Sequence, residues 1–174
     1  MPIYQFEDQR PQVHPQAFVH PQAVLIGEVD VAAGCFVGAC AVLRGDFGRI
    51  TLAEGSNIQE NAVAHTGPGG EVTLAAGVIV GHGAILHDAS LGEKAFVGMG
   101  AILLPGVVLE ELAMVAAGAM VPAGMRVPAG MIAAGNPARV QKAVGSGLRQ
   151  QLEEGLALYQ ALPRRYLEGL RRLD

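Results

Sequence analysis

The sequence predicts an all-β repeat fold, a parallel β-helix of six-residue repeats followed by one C-terminal α-helix, and three observations carry that prediction. Aliphatic residues recur at every sixth position: Val13, Val19, Leu25, Val31, Val37 and Leu43; then Leu74, Val80 and Leu86; then Val97, Leu103, Leu109, Val115, Val121 and Val127. Leu, Ile and Val make up only 45 of the 174 residues, so an unbroken series of such hits is a repeat rather than an accident of composition. Two positions before the aliphatic lies a second narrow site, filled by Ala17, Ala23, Val29, Cys35, Ala41, Val72, Val78, Ala84, Ala95, Ala101, Val107, Ala113 and Ala119, with Pro11 and Met125 as looser ends. The composition agrees: 51% hydrophobic but 5% aromatic, no Trp and 24 Gly, which calls for a core of small and branched aliphatic side chains.

Each hexad reads as a short strand and a corner. Strand side chains alternate, so the narrow residue and the aliphatic two positions later both point inward. Three hexads close a triangular coil, and stacked coils pair their strands in parallel and pile the aliphatics into columns. This pattern resembles the hexapeptide-repeat β-helix. The resemblance implies a left-handed sense, against the usual right-handed crossover.

The phase slips between Leu43 and Leu74, and by one residue between Leu86 and Val97. A loop is expected at 66–70, where Gly67, Pro68, Gly69 and Gly70 break any regular element. The repeat fades after Val127, and Gly135, Asn136 and Pro137 form a turn expected to leave the β-helix. From Ser146 the spacing becomes that of an amphipathic helix, with Leu148, Leu152, Leu156 and Tyr159 on one face and Pro163 as an interruption. Arg164, Arg165, Arg171 and Arg172 read as a solvated face in preference to a basic binding patch. The chain is one domain: residues 1–140 form the β-helix and residues 141–174 a helical segment packed alongside it or against a neighbour.

A net charge of −4 without a basic cluster before the last helix gives no footprint for nucleic acid or a membrane surface. No apolar run approaches the ~20 residues of a membrane span. Met1 to Arg10 shows no cationic start followed by an apolar stretch, and Cys35 and Cys40 read as buried thiols in a reducing compartment, so a cytoplasmic protein is expected. The excess of apolar residues over charge calls for surface hidden between subunits, and a homotrimer is expected.

Three of the five histidines, His65, His82 and His87, cluster around the slip. His82 lies two residues past inward Val80 and His87 one past inward Leu86, so both project outward. A single convex coil offers no pocket there, and a site made of them needs a wall from another subunit. Three neutral imidazoles and a water are a catalytic zinc arrangement, because one coordination position stays open. Fe2+ or Co2+ suits the same ligands. The alternative is that all three are exposed polar corners, as His14 and His20 are read to be, each preceding Pro in the matching hexads VHPQAF and VHPQAV.

The ordered set Arg44-Gly45-Asp46, Asn57-Ile58-Gln59, His65, Gly81-His82 and His87 resembles the γ-class carbonic anhydrase family over about residues 10 to 140. The opening Met1-Pro2-Ile3-Tyr4-Gln5 and the run from Arg44 to Ile50 are similar to its PaaY-type branch, associated with phenylacetate degradation. The resemblance implies that His65, His82 and His87 ligate zinc, two from one subunit and one from its neighbour. It implies an ion pair of Arg44 and Asp46 between subunits, a Gln59 that orients metal-bound hydroxide, and Tyr159 as an aromatic near the metal. Acidic residues that fast members carry after the Arg-Gly-Asp run and in the loop after the first histidine are replaced by Phe47 and glycines. That leaves Glu60 and Glu71 as the nearby acids, and proton export is expected to fall to buffer or to Glu60.

The activity these readings imply is attack of a metal-bound hydroxide on CO2, giving bicarbonate, with weak hydration. Two alternatives use the same fold: a coenzyme A thioesterase of the phenylacetate type, and an acyltransferase that takes acyl-CoA between subunits with a lone histidine as general base. A trimer that has lost its chemistry is the non-enzymatic reading.

Overall fold

The computed structural model describes residues 2–174; Met1, part of the opening run quoted above, lies outside the described residues. The chain winds into a left-handed β-helix with three faces of parallel strands, most of them two or three residues long. One face carries Val63–His65, Ile85–His87, Ile102–Leu103 and Met120–Val121; a second carries Glu71–Leu74, Ser90–Leu91, Val108–Leu109 and Arg126–Val127. The longer strands Val24–Val31 and Val42–Leu52 turn the corner and belong to both. The third face runs from Phe18–Val19 through Phe36–Val37, Asn57–Ile58, Ile79–Val80, Phe96–Val97 and Met114–Val115 to Met131–Gly135.

The six-residue period is the column structure of the core. On the first face Leu25 pairs Leu43, Leu43 pairs Ala64, Ala64 pairs Leu86, Leu86 pairs Leu103 and Leu103 pairs Val121, all without solvent exposure. Truncating one of these leucines to alanine costs about 2–5 kcal/mol, because the ladders above and below hold the cavity open. The expected slip between Leu43 and Leu74 is two excursions of the winding, and the one between Leu86 and Val97 is a shortened step, five residues from inward Leu86 to inward Leu91. The step from inward Leu43 to inward Leu52 takes nine residues instead of six, and that from Ala64 to Leu74 takes ten. Each pushes a loop outward at the same corner while Ile50, Leu52, Ile58 and Ala64 keep the core filled. The loop at 66–70 lies where the Gly/Pro run places it.

Two expectations are corrected. The turn at Gly135, Asn136 and Pro137 does not leave the β-helix: it is the tip of a hairpin whose second strand, Ala138–Ala143, returns antiparallel to Met131–Gly135. The last coil would otherwise present a row of unpaired backbone groups, and this strand covers them. Pro163 does not end the helix, which runs unbroken from Ser146 to Gly169. Its ring is buried, and that apolar contact offsets the backbone N–H it cannot donate.

The helix lies along the third face, against its outward aromatic side chains. Phe18 and Phe36 stack at 5.6 Å; Tyr166 packs on both, at 4.9 and 5.3 Å, and Tyr159 meets Phe36 at 6.1 Å. Arg164 pairs with Glu168 and Arg172 with Asp174 on the solvent side, as a solvated face requires. Among the described residues no helix is long and apolar enough to cross a membrane.

Candidate functional site

The predicted site residues fall into two groups on the chain. The first is built on an outward column one position past the core column: Arg44, His65 and His87 are strand neighbours in register on adjacent coils. The excursion after Arg44 folds Asp46 back onto this column. Gly48 makes that fold possible, since a Cβ there would overlap the carbonyl oxygen of Gly70 in the loop stacked against it.

A line of polar contacts runs through the group. Arg44 Nη1 donates to Asp46 Oδ2 at 2.6 Å, so the pair that the resemblance implies between subunits is made here within one chain. Asp46 Oδ1 lies 3.3 Å from His65 Nε2, and His65 Nδ1 lies 3.3 Å from His87 Nε2. His87 Nδ1 lies 3.0 Å from Asp88 Oδ2, and Phe47 sets its ring edge against His65 at 6.1 Å. Burial and the Arg44 guanidinium lower the His65 pKa, outweighing the hydrogen bond to Asp46, so the ring is neutral at neutral pH. Burial alone would raise the Asp46 carboxyl, but hydrogen bonding and charge from Arg44 outweigh it and hold the group below the usual carboxylate range.

The second group is Gln59, Glu60, His82 and Tyr159. Glu60 Oε2 lies 2.6 Å from His82 Nδ1. Gln59 is nearly buried, and its Nε2 donates to Asn57 Oδ1 at 3.2 Å, leaving its Oε1 free to accept. Tyr159, on the C-terminal helix, completes the wall of an open cleft of about 230 Å³ with Gln59, Ile79, Gly81, His82, Phe96, Met99, Leu152 and Gly155. Burial raises the Tyr159 hydroxyl above its ordinary value, and the Glu60 charge adds to the shift. Glu71 takes no part in either group; its strand pairing places it beside Arg49.

Each of the three histidines therefore has one ring nitrogen against its own carboxylate: His65 on Asp46, His82 on Glu60, His87 on Asp88. A neutral imidazole carries one N–H, and the carboxylate takes it, so the other nitrogen presents a lone pair. With hydrogen on His65 Nε2 and His87 Nδ1, the other two nitrogens would face each other as acceptors, a contact that a cation between them would relieve. Zinc–nitrogen bonds of about 2.0–2.1 Å at a tetrahedral angle set ligand nitrogens about 3.3–3.4 Å apart, and the observed 3.3 Å fits. Among the described residues no three His, Cys, Asp or Glu side chains converge on one point within the chain.

Two residues of the site were not assigned a role from the sequence. Asn57, which braces Gln59, stands in the outward column that otherwise holds Phe36, Ile79 and Phe96, and a polar residue in an apolar column was a readable signal. Asp88 left no such mark.

The coils, their columns and the C-terminal helix define a hexapeptide-repeat left-handed β-helix, and the chain belongs to that family. It is 44% identical over 144 residues to the carnitine operon protein CaiE of Salmonella agona, covering 83% of this chain and 73% of that protein. With CaiE of a Proteus species it is 37% identical over 170 residues, 98% of this chain and 86% of that protein. Among solved structures, a hexapeptide transferase family protein from Anaplasma phagocytophilum superposes with a TM-score of 0.91 at 36% identity, covering 95% of this chain and 98% of that one. A Bacillus cereus protein provisionally assigned as an acetyltransferase gives 0.92 at 29% identity, with 94% and 95% covered. No family model matches the chain.

Proposed function

We propose that the protein is a γ-carbonic anhydrase-like enzyme that holds a divalent metal, Zn2+ by preference, between subunits of a homotrimer. The observation that carries this reading is the separation of His65 Nδ1 from His87 Nε2, 3.3 Å, the spacing of two nitrogens bound to one tetrahedral zinc. These two come from one chain. His82, with its Nε2 turned free by Glu60, belongs to the neighbour's site. Bound this way, the metal would keep a water with a pKa lowered to about 7 and so supply hydroxide for attack on CO2.

The chain's own residues have separate tasks. Gln59, held by Asn57, offers Oε1 to accept a hydrogen bond from water or hydroxide and fix its direction. Arg44 neutralises Asp46, so that the carboxylate orients His65 without adding an uncompensated charge. Glu60 is engaged by His82, and with Phe47 and glycines in the places where fast members carry acids, proton export falls to buffer. Hydration is accordingly slow and buffer-stimulated.

The second reading, hydrolysis of a thioester, is favoured by the cleft. CO2 needs no space of 230 Å³ lined by Ile79, Phe96, Met99 and Leu152, whereas an acyl group does. The acyltransferase reading has support in the names given to the two structural relatives, and a lone histidine base would serve it without metal.

Metal analysis of protein purified without chelator, with CO2 hydration and thioester hydrolysis measured on wild type and Gln59→Ala, tests the proposal. About one metal per chain is expected, with Gln59→Ala keeping the metal and losing on the order of 10²-fold in rate, the loss typical of removing one preorganised hydrogen-bonding group. Metal-free protein with full transferase activity would replace this reading with the acyltransferase.

A further inference from the structure

Asp88 follows the second histidine of the first group and is held on all sides. Its N–H donates to His65 O at 3.3 Å on the coil before, and its carbonyl accepts from Gly106 N–H at 2.7 Å on the coil after. Its φ of +46° lies in the left-handed region, where an aspartate is tolerated and most residues are strained. From this fixed backbone the carboxylate makes two contacts: Oδ2 lies 3.0 Å from His87 Nδ1, and Oδ1 accepts from Gly67 N–H at 2.9 Å. The glycine loop is shaped around it. A Cβ on Gly70 would overlap Asp88 Oδ1, and one on Gly67 would crowd Oδ2 at 3.1 Å.

From this geometry, and resting on the metal reading above, we infer that Asp88 is a positioning residue. It fixes His87 in the tautomer with hydrogen on Nδ1, turns the Nε2 lone pair toward His65, and clamps the 66–70 loop beside the site. The two contacts use both carboxylate oxygens as acceptors, so the side chain cannot be replaced by one with an N–H. An asparagine offers a single oxygen: if it accepts from Gly67, its amide faces His87 Nδ1 and favours hydrogen on Nε2, the tautomer that cannot ligate. If it turns round, the amide faces the Gly67 N–H and the loop is released. Carboxylates behind ligating histidines in other metal sites contribute about 10–100-fold in metal affinity by this means.

The test uses the full-length protein, wild type, Asp88→Asn and Asp88→Gly. Glycine suits the positive φ, so Asp88→Gly keeps the coil while losing both contacts, and circular dichroism checks that the fold survives. Zn2+ affinity is measured by chelator competition, and the tautomer of His87 by nitrogen-15 NMR of metal-free protein. Wild type is expected to hold His87 uniformly as Nδ1–H, and both variants to bind Zn2+ about 10–100-fold more weakly and to lose that uniform form. A wild-type His87 protonated on Nε2, or variants with wild-type affinity and tautomer, would overturn the inference. A wild type that takes up no metal but shows His87 as Nδ1–H, lost in both variants, would sink the zinc reading and uphold the hold of Asp88 on the ring.

Discussion

His65 and His87 lie one above the other on adjacent coils, paired in strand register, with His65 Nδ1 and His87 Nε2 3.3 Å apart. The register is a property of the coil rather than of the histidines. Because the core column Ala64 and Leu86 is fixed by packing, the outward residues one step on must stack.

That stacking decides how ligands are shared in a trimer. If His65 and His87 of one subunit meet His82 of the next, His65→Ala and His82→Ala damage different halves of the site. Each variant alone should lose most of its metal while retaining the β-helix, since none of these side chains is in the core. Unfolded together and refolded, the two should form mixed trimers in which one of the three interfaces joins an intact His65/His87 pair to an intact His82, and metal binding should return in part. Metal analysis of the refolded mixture checks this; no recovery would mean that the three ligands are not divided in this way.

The sequence showed the repeat plainly because a β-helix has one inward position per strand that only a small set of aliphatics fills. It showed the histidines as outward for the same reason. It did not show the path of the two excursions, Gly45 to Arg49 and Thr66 to Gly70, whose shapes depend on each other through the approach of Gly48 to Gly70. The contacts of Asp46 and Asp88 ride on those excursions, so the carboxylate behind each histidine was out of reach. The hairpin at Gly135 was missed because a Gly-Asn-Pro run marks a turn without saying whether the chain returns antiparallel. Pro163 was misjudged because a breaker signal ignores what burial of the ring contributes.

The two cysteines should differ in reactivity. Cys35 is buried in the core column and its thiol pKa is pushed up by burial, against hydrogen bonds involving Ser56 and nearby backbone; Cys40, expected from the sequence to be buried as well, is instead an exposed corner, with φ +58° in the turn between two hexads. Thiolate is the reactive form, so a thiol reagent at neutral pH should label Cys40 and leave Cys35 until the protein unfolds. The sign for stability follows. The raised folded value means that the contribution of the protonated Cys35 thiol is full below the ordinary thiol pKa and is lost as pH rises through the folded value, so alkaline melting should begin earlier in wild type than in Cys35→Ala. Mass spectrometry of the labelled sites and melts across alkaline pH check both parts. Equal labelling of the two thiols in folded protein would contradict the burial.

The last prediction separates CO2 from an acyl substrate, and it uses Gly155. This glycine lies inside the helix Ser146–Gly169 and lines the cleft beside His82 and Gln59, where a Cβ would meet nothing within 4 Å. Glycine inside a helix is less favourable than alanine by about 0.5–1 kcal/mol, so replacing it with a better helix former should not unfold the segment. Gly155→Leu would place a branched side chain in the cleft, next to Ile79, Phe96 and Met99, while leaving His82 and Gln59 in place. If the cleft receives an acyl group, hydrolysis of a bulky aryl-acyl thioester should fall at least 10-fold in kcat/KM, a loss of about 1.4 kcal/mol in transition-state binding. An acetyl thioester and CO2, which do not reach that space, should be turned over as before, and metal content should not change. Steady-state kinetics on the three substrates with metal-loaded wild type and variant give the comparison. A uniform loss on all three would mean that the substitution disturbs the helix or the site itself. No loss on any would mean that the cleft takes no part in catalysis, and the thioester reading would lose the observation that favours it.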